Sequence, residues 1–161
     1  MTKPAYFSKG FAFFVISVIF LWGVCAWILL SIHSSSAKCS ENYRTDATII
    51  VNGHKLATQI ASSLQKQEQG LSGRSCLGAD QAMLFIFDKP GNYPFWMKDM
   101  NFNVDIVWAS ADKQAVDVQS GVSPKTYPKS FVNQQPAKYV LELQSGRANA
   151  LGLQTGTKLK F

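Results

Sequence analysis

The sequence predicts a mainly β domain behind a single transmembrane helix. The domain should be a compact β-sandwich or jelly roll, or a partly open barrel, with one or two short helices. Three observations predict it. A 22-residue apolar run, Phe11 to Ile32, stands near the amino terminus. Beyond it, short stretches alternate apolar and polar residues at period two, and Gly, Pro, Asn or Asp bound them. Among these, Leu64 to Gln69 stands out for its good helix formers behind a capping serine.

The chain has 161 residues, which is one ordinary domain once the apolar run is set aside. Charged residues make up 16%, low for a globular chain and the opposite of a disordered tail. With 3 cysteines and 2 histidines, a disulfide-dense scaffold, a thiolate zinc site and a histidine-rich metal centre are all excluded by count. The reading divides the chain into a cytoplasmic tail (1–9), a signal-anchor helix (10–32), a polar tether (33–45) and an extracytoplasmic β domain (46–161).

No Asp, Glu, Lys or Arg occurs between Gly10 and Ala37. As a helix, Phe11 to Ile32 would measure roughly 33 Å, enough for a hydrocarbon core of roughly 30 Å. Its first expected partner is therefore the lipid bilayer. The alternative is a cleaved signal peptide, with Ser35 and Ala37 as a small-x-small site. Lys3 and Lys9 before the run balance Lys38 and Arg44 after it, so positive charge leaves orientation tied. Two points favour an inside amino terminus, a single pass through the cytoplasmic membrane and a carboxy-terminal domain outside. The tail has a free amine and no acid, and the cysteines suit that side. Cys25 falls within the run, leaving Cys39 and Cys76 as an even pair that reads as one disulfide outside the cytoplasm. It would close a loop of about 38 residues, worth roughly 4 kcal/mol. The alternative is two unrelated thiols.

Along the domain, Thr48 to Val51 is a strand ending at Asn52-Gly53, a two-residue hairpin signal. Lys55 to Ile60 returns with Leu56, Thr58 and Ile60 on one face. Ser62-x-x-Gln65 resembles a capping box, Leu64 to Gln69 a short helix, and Gly70 its C-cap. Ala82 to Phe87 is apolar on both faces, a strand covered on both sides, and Asp88 to Asn92 reads as a turn. Phe102 to Trp108 alternates, with Asn103 and Asp105 opposite the apolar face. Ala111 to Lys113 turns into a strand over Gln114 to Gln119, and Gly121 to Pro136 is a long loop with three prolines. Lys138 to Leu143 alternates again. A helical turn covers Arg147 to Leu151, and Thr155-Gly156 leads into a last strand.

Several segments resemble one family. They are Glu68-Gln69-Gly70-Leu71-Ser72-Gly73-Arg74, Ala82-Met83-Leu84-Phe85, Pro94-Phe95-Trp96-Met97-Lys98-Asp99-Met100, Val104-Asp105-Ile106-Val107-Trp108, and Tyr139-Val140-Leu141-Glu142-Leu143 with Gly146. In this order they resemble the bacterial and archaeal family called domain of unknown function 192, over about Leu56 to Phe161. Ser72 and Ala82 depart from the family's usual methionine and glycine. The resemblance implies a compact β-rich domain of jelly-roll or barrel type, often behind a signal or anchor. It implies no established activity.

No nucleophile elbow or phosphate loop occurs, and His54 is the one histidine of the domain. The aspartates lack calcium-loop spacing. No cofactor and no metal is expected. Asp105 and Glu142, mid-strand among apolar residues, are the two carboxylates that could form an acid–base pair; otherwise they face solvent or pair with Arg74 or Lys98. Tyr93, Phe95, Trp96 and Lys98 form an aromatic-basic cluster after a Pro-Gly pair, suited to stacking on a ring and holding an anionic group. The ligand-binding candidates are Arg74, Trp96, Lys98 and Tyr93. In the competing reading, Phe95 and Met97 simply plug the fold. Net charge is +6, too dilute for a nucleic-acid stripe but suited to an envelope polymer or protein nearby. The leading expectation is a non-catalytic, membrane-anchored binding module. The alternatives are a hydrolase-type envelope enzyme working through Asp105 and Glu142, and a purely structural interaction module.

Overall fold

The computed structural model describes Cys39 and residues 43–161. The tail, the apolar run and most of the tether lie outside the described residues, so the expected membrane span does too. Among the described residues, no helix is long and apolar enough to cross a membrane.

The order is β1 (Ala47–Val51), β2 (His54–Ala61), α1 (Leu64–Gln69), β3 (Gln81–Gly91), β4 (Phe95–Trp96), β5 (Val104–Ala109), β6 (Ala115–Val122), β7 (Ser130–Phe131), β8 (Ala137–Gln144), α2 (Arg147–Ala150) and β9 (Leu159–Lys160). Seven strands form one sheet in the order β6-β5-β8-β3-β2-β1-β9, and β4 pairs with β7 in a small second sheet. The fold is mainly β, as expected. Of the architectures anticipated it matches the partly open barrel, because the large sheet curls upon itself. The last segment shows the curl: β9 pairs with β1 through Val51↔Leu159, while Leu159 N–H donates to Lys113 C=O at 2.9 Å, just before β6.

Side chains from all seven strands meet in one hydrophobic cluster that includes Ile49, Leu56, Leu84, Val107, Leu141 and Leu159. The opposite face carries a second cluster, including Leu71, Met83, Phe85, Met97, Ile106 and Trp108. Alternation along the strands divides them: in β3, Ala82 and Leu84 belong to the first and Met83 and Phe85 to the second. The prediction that β3 is covered on both sides holds for this physical reason.

The Asn52-Gly53 hairpin forms, with φ values of 47° and 86° that favour these two residue types. Two local expectations need correction, the cap of α1 and the turn expected at Asp88 to Asn92. The cap of α1 is Ser63 rather than Ser62; Ser63 has the extended backbone a cap requires, and Lys66 N–H donates to its Oγ at 3.4 Å. Ile60 shares the face of Leu56 and Thr58 but is half-buried, because from Gln59 onward β2 also buries its other face, Gln59 and Ala61, under α1 and the segment after it. Asp88 to Gly91 does not turn. It stays in β3, with Gly91 opposite Ala137 and a register shift between Ile86 and Gly91 that takes up the irregularity. Pro90, which has no N–H to donate, sits in that interrupted stretch.

Cys39 and Cys76 form the expected disulfide, with Cα atoms 5.8 Å apart. Gln81 Nε2 donates to Cys39 C=O at 3.0 Å, a second tie between the start of the domain and β3.

Candidate functional site, an aromatic cleft over a buried carboxyl

The second face of the sheet carries one row of side chains across four strands. Register places Ile106 beside Glu142, Glu142 beside Met83, and Met83 beside Gln59. Two of the four are polar, and both are buried: Gln59 is 7% exposed and Glu142 6%.

A cleft of about 180 Å³ opens above this row, with Glu142 among its lining residues. Aromatic side chains wall it. Phe85 and Phe95 meet edge to face with ring centroids 4.9 Å apart, and Phe87 stacks on Tyr93 at 3.5 Å. Trp96 lines the cleft and remains 52% exposed. On the other side, Gln67 to Ser72 bring α1 and its C-terminal turn over the row. Gly70 permits that approach: its φ is +49°, and a Cβ there would stand 3.3 Å from the Phe85 ring.

The aromatic segment is held by its backbone. Asn133, buried, accepts from Tyr93 N–H at 2.9 Å and donates to Gly91 C=O at 3.0 Å. Trp108 Nε1 donates to Tyr93 C=O at 3.0 Å. Ser72 Oγ donates to Lys98 C=O at 2.9 Å, and Asn101 Nδ2 to Arg74 C=O at 2.8 Å, so the two loops around the cleft are stitched together.

Glu142 is the unusual group. Its Oε2 is buried with no hydrogen-bond partner. Burial pushes its pKa up to about 8, against a smaller downward pull from the Arg74 guanidinium. Arg74 is engaged elsewhere: it donates to Gln59 Oε1 and lies over the Tyr43 ring. It lines an adjoining polar cleft with Arg44 and Lys66, and Gln69 and Gly70 border both clefts. The Tyr43 phenol is raised by burial, with its hydrogen bonds to Gln59 N–H and Ala82 C=O acting in the opposite sense.

Of the residues singled out from sequence, Tyr93, Trp96 and Glu142 therefore come together, and Arg74 lies beside them. Lys98 does not join: its side chain is exposed and outside the cleft lining, and its carbonyl is what the loop uses. Phe95 and Met97 pack into the second cluster, Met97 at 2% exposure, as the plugging reading has it. Asp105 is separated from Glu142. Asp105 stands opposite Leu143 and Ile106 opposite Glu142, which puts the two carboxyls on opposite faces of the sheet. Nor does Asp105 face solvent or pair with a cation. It is fully buried and accepts from Gly121 and Gly146 N–H through Oδ1, and from Ala148 N–H at 2.8 Å through Oδ2. It anchors the start of α2. The acid–base pair anticipated from sequence is not assembled.

Sequence reasoning missed Gln59 and Asn133. Gln59 carried no signal, since it falls opposite the face of Leu56, Thr58 and Ile60, where a polar residue is ordinary. Asn133 carried none, sitting in a loop of polar residues. Among the described residues, no three His, Cys, Asp or Glu side chains cluster in a way that could hold a metal ion.

A curled β domain with an aromatic cleft over one buried acid is the class this geometry defines. Residues 47–161 match the family model for domain of unknown function 192, described as "Uncharacterized ACR". The chain belongs to that family. Two crystal structures are similar in fold. One is a protein of unknown function from Novosphingobium aromaticivorans DSM 12444, with TM-score 0.68 and 25% identity over 71% of this chain and 84% of that one. The other, from Sinorhizobium meliloti 1021, is described as a "putative transcription regulator", with TM-score 0.66 and 25% identity over 74% of this chain and 97% of that one. No curated protein matches the chain at a comparable level.

Proposed function

We propose that this is a membrane-anchored, extracytoplasmic domain that binds a small, ring-bearing molecule in the cleft above Glu142. One observation carries the binding reading: a carboxyl oxygen lies buried and unpartnered at a cleft walled by aromatic side chains. Leaving a buried polar group unmet costs about 1–3 kcal/mol, and a ligand that meets it relieves that cost. A volume of about 180 Å³ suits a single ring, and aromatic walls offer it stacking or edge contacts. The apolar run from Phe11 to Ile32 supports the anchor, and the Cys39–Cys76 bond supports the oxidising side of the membrane.

Two measurements test this reading. In the first, the full chain in a non-ionic detergent is titrated with benzyl alcohol, benzylamine and benzoate while the Trp96 indole resonance is followed. At least one probe should shift it saturably; silence with all three, in a folded protein, overturns the cleft as a binding site. In the second, alkaline carbonate washing should leave the chain in membranes, and protease added to spheroplasts should remove the domain. Release by carbonate, or full protection from protease, overturns the anchor or the orientation.

A further inference from the structure

Resting on that reading, we propose that the cleft selects a small organic ammonium ion, with its apolar body against the aromatic walls and its N–H⁺ on the Glu142 carboxylate. The charge around the cleft supports this. The domain carries more basic than acidic residues. Yet the lining residues that can carry a charge, of either sign, through a carboxyl or amino group are Glu68 and Glu142, both acids. Arg74, whose field reaches Glu142, is hydrogen-bonded to Gln59 and opens on the adjoining cleft. An anionic ligand would meet two carboxyl groups and no lining cation.

The other polar groups argue against a polyhydroxylated ring. Gln67 Nε2 already donates to Ile86 C=O at 2.8 Å, and the Ser72 hydroxyl to Lys98 C=O. What remains deep in the site is one carboxyl whose Oε2 has no partner, a single point of polar contact. Aromatic walls beside a carboxylate are also what an ammonium ion prefers, through its attraction to ring faces.

Binding has a definite proton balance. Below about pH 8 Glu142 holds a proton in the free protein. A cation that pairs with its carboxylate expels that proton to solvent. Affinity should then rise about tenfold per pH unit up to about pH 8, and level off above it. The groups facing Glu142 across this site are Arg74 from the loop after α1, Glu68 from α1, and Tyr93 before β4, whose hydroxyl donates to Lys89 C=O.

The test compares benzylammonium, benzyl alcohol and benzoate on the full chain in non-ionic detergent at about pH 6.5 and 7.5. Calorimetry in two buffers of different ionisation enthalpy counts protons. The expected result is benzylammonium bound at least about tenfold more tightly than benzyl alcohol. Its affinity should rise about tenfold between the two pH values, with close to one proton released per ligand. Glu142→Gln should abolish both the proton release and the preference for the cation, and should leave any weak binding of benzyl alcohol in place. Tighter binding of benzyl alcohol or benzoate, or a benzylammonium affinity that does not rise with pH, overturns the cation and leaves the ring-binding reading standing. No binding by any of the three overturns both.

Discussion

Glu142 is a carboxyl that the folded chain keeps protonated at neutral pH, and its cost is visible in the pH dependence of stability. Its pKa rises from 4.5 to about 8 on folding because burial removes it from water. The folded state therefore holds a proton that the unfolded chain has released between those values. Stability from this group is fully present below about pH 4.5 and is lost as pH climbs through about 8. Each unit of difference is worth about 1.4 kcal/mol. Denaturant midpoints for the native chain should fall across this window, and those of Glu142→Gln should stay nearly flat there. Equal slopes for the two would mean that Glu142 titrates as it does in the unfolded chain. Asp105 is buried as well, but its oxygens meet three backbone N–H donors.

At the scale of elements, the cleft joins two central strands, β3 and β8, to a wall made by parts that carry little of the fold. Strand β4 has two residues, and its partner β7 has two. Trp96 is half-exposed on β4, whereas Phe85 on β3 is buried. Trp96→Ala should therefore cost less than about 0.5 kcal/mol of stability, and Phe85→Ala about 3–5 kcal/mol, measured by urea unfolding. The Trp96 substitution should weaken saturable binding of benzylammonium, read by calorimetry. A large loss of stability on Trp96→Ala would instead favour a purely structural role. The long strands β2, β5 and β8 were readable from sequence because alternation marks them, and β3 because it contains a short unbroken apolar run. The β4–β7 pair was not, since its partner comes from a proline-containing loop with no period of its own. The aromatic cluster and Glu142 were readable as candidates. Their meeting was not, because it depends on which face each strand turns toward the loop after α1.

Across the whole molecule, curling is the property least apparent in the sequence. Period-two patterns give strands and faces, but not the pairing of β1 with β9, nor the bond from Leu159 N–H to Lys113 C=O. The disulfide was better foretold, since only two cysteines remain beyond the apolar run. Cys76→Ser should lower stability by about 4 kcal/mol in the chain-entropy account, read as a lower urea midpoint than that of the oxidised native chain. Reductant should bring the native chain to the same midpoint. If the midpoint does not move, the cross-link constrains little that the unfolded chain does not already constrain.

That bond also decides how the domain meets a mechanical load. Any pull applied to the chain ahead of Cys39 passes covalently to Cys76, in the segment between α1 and β3. It bypasses β1, β2 and α1, which would otherwise be peeled away one ladder bond at a time. With the sulfurs reduced, the same pull would fall first on β1, the strand that holds β2 on one side and β9 on the other.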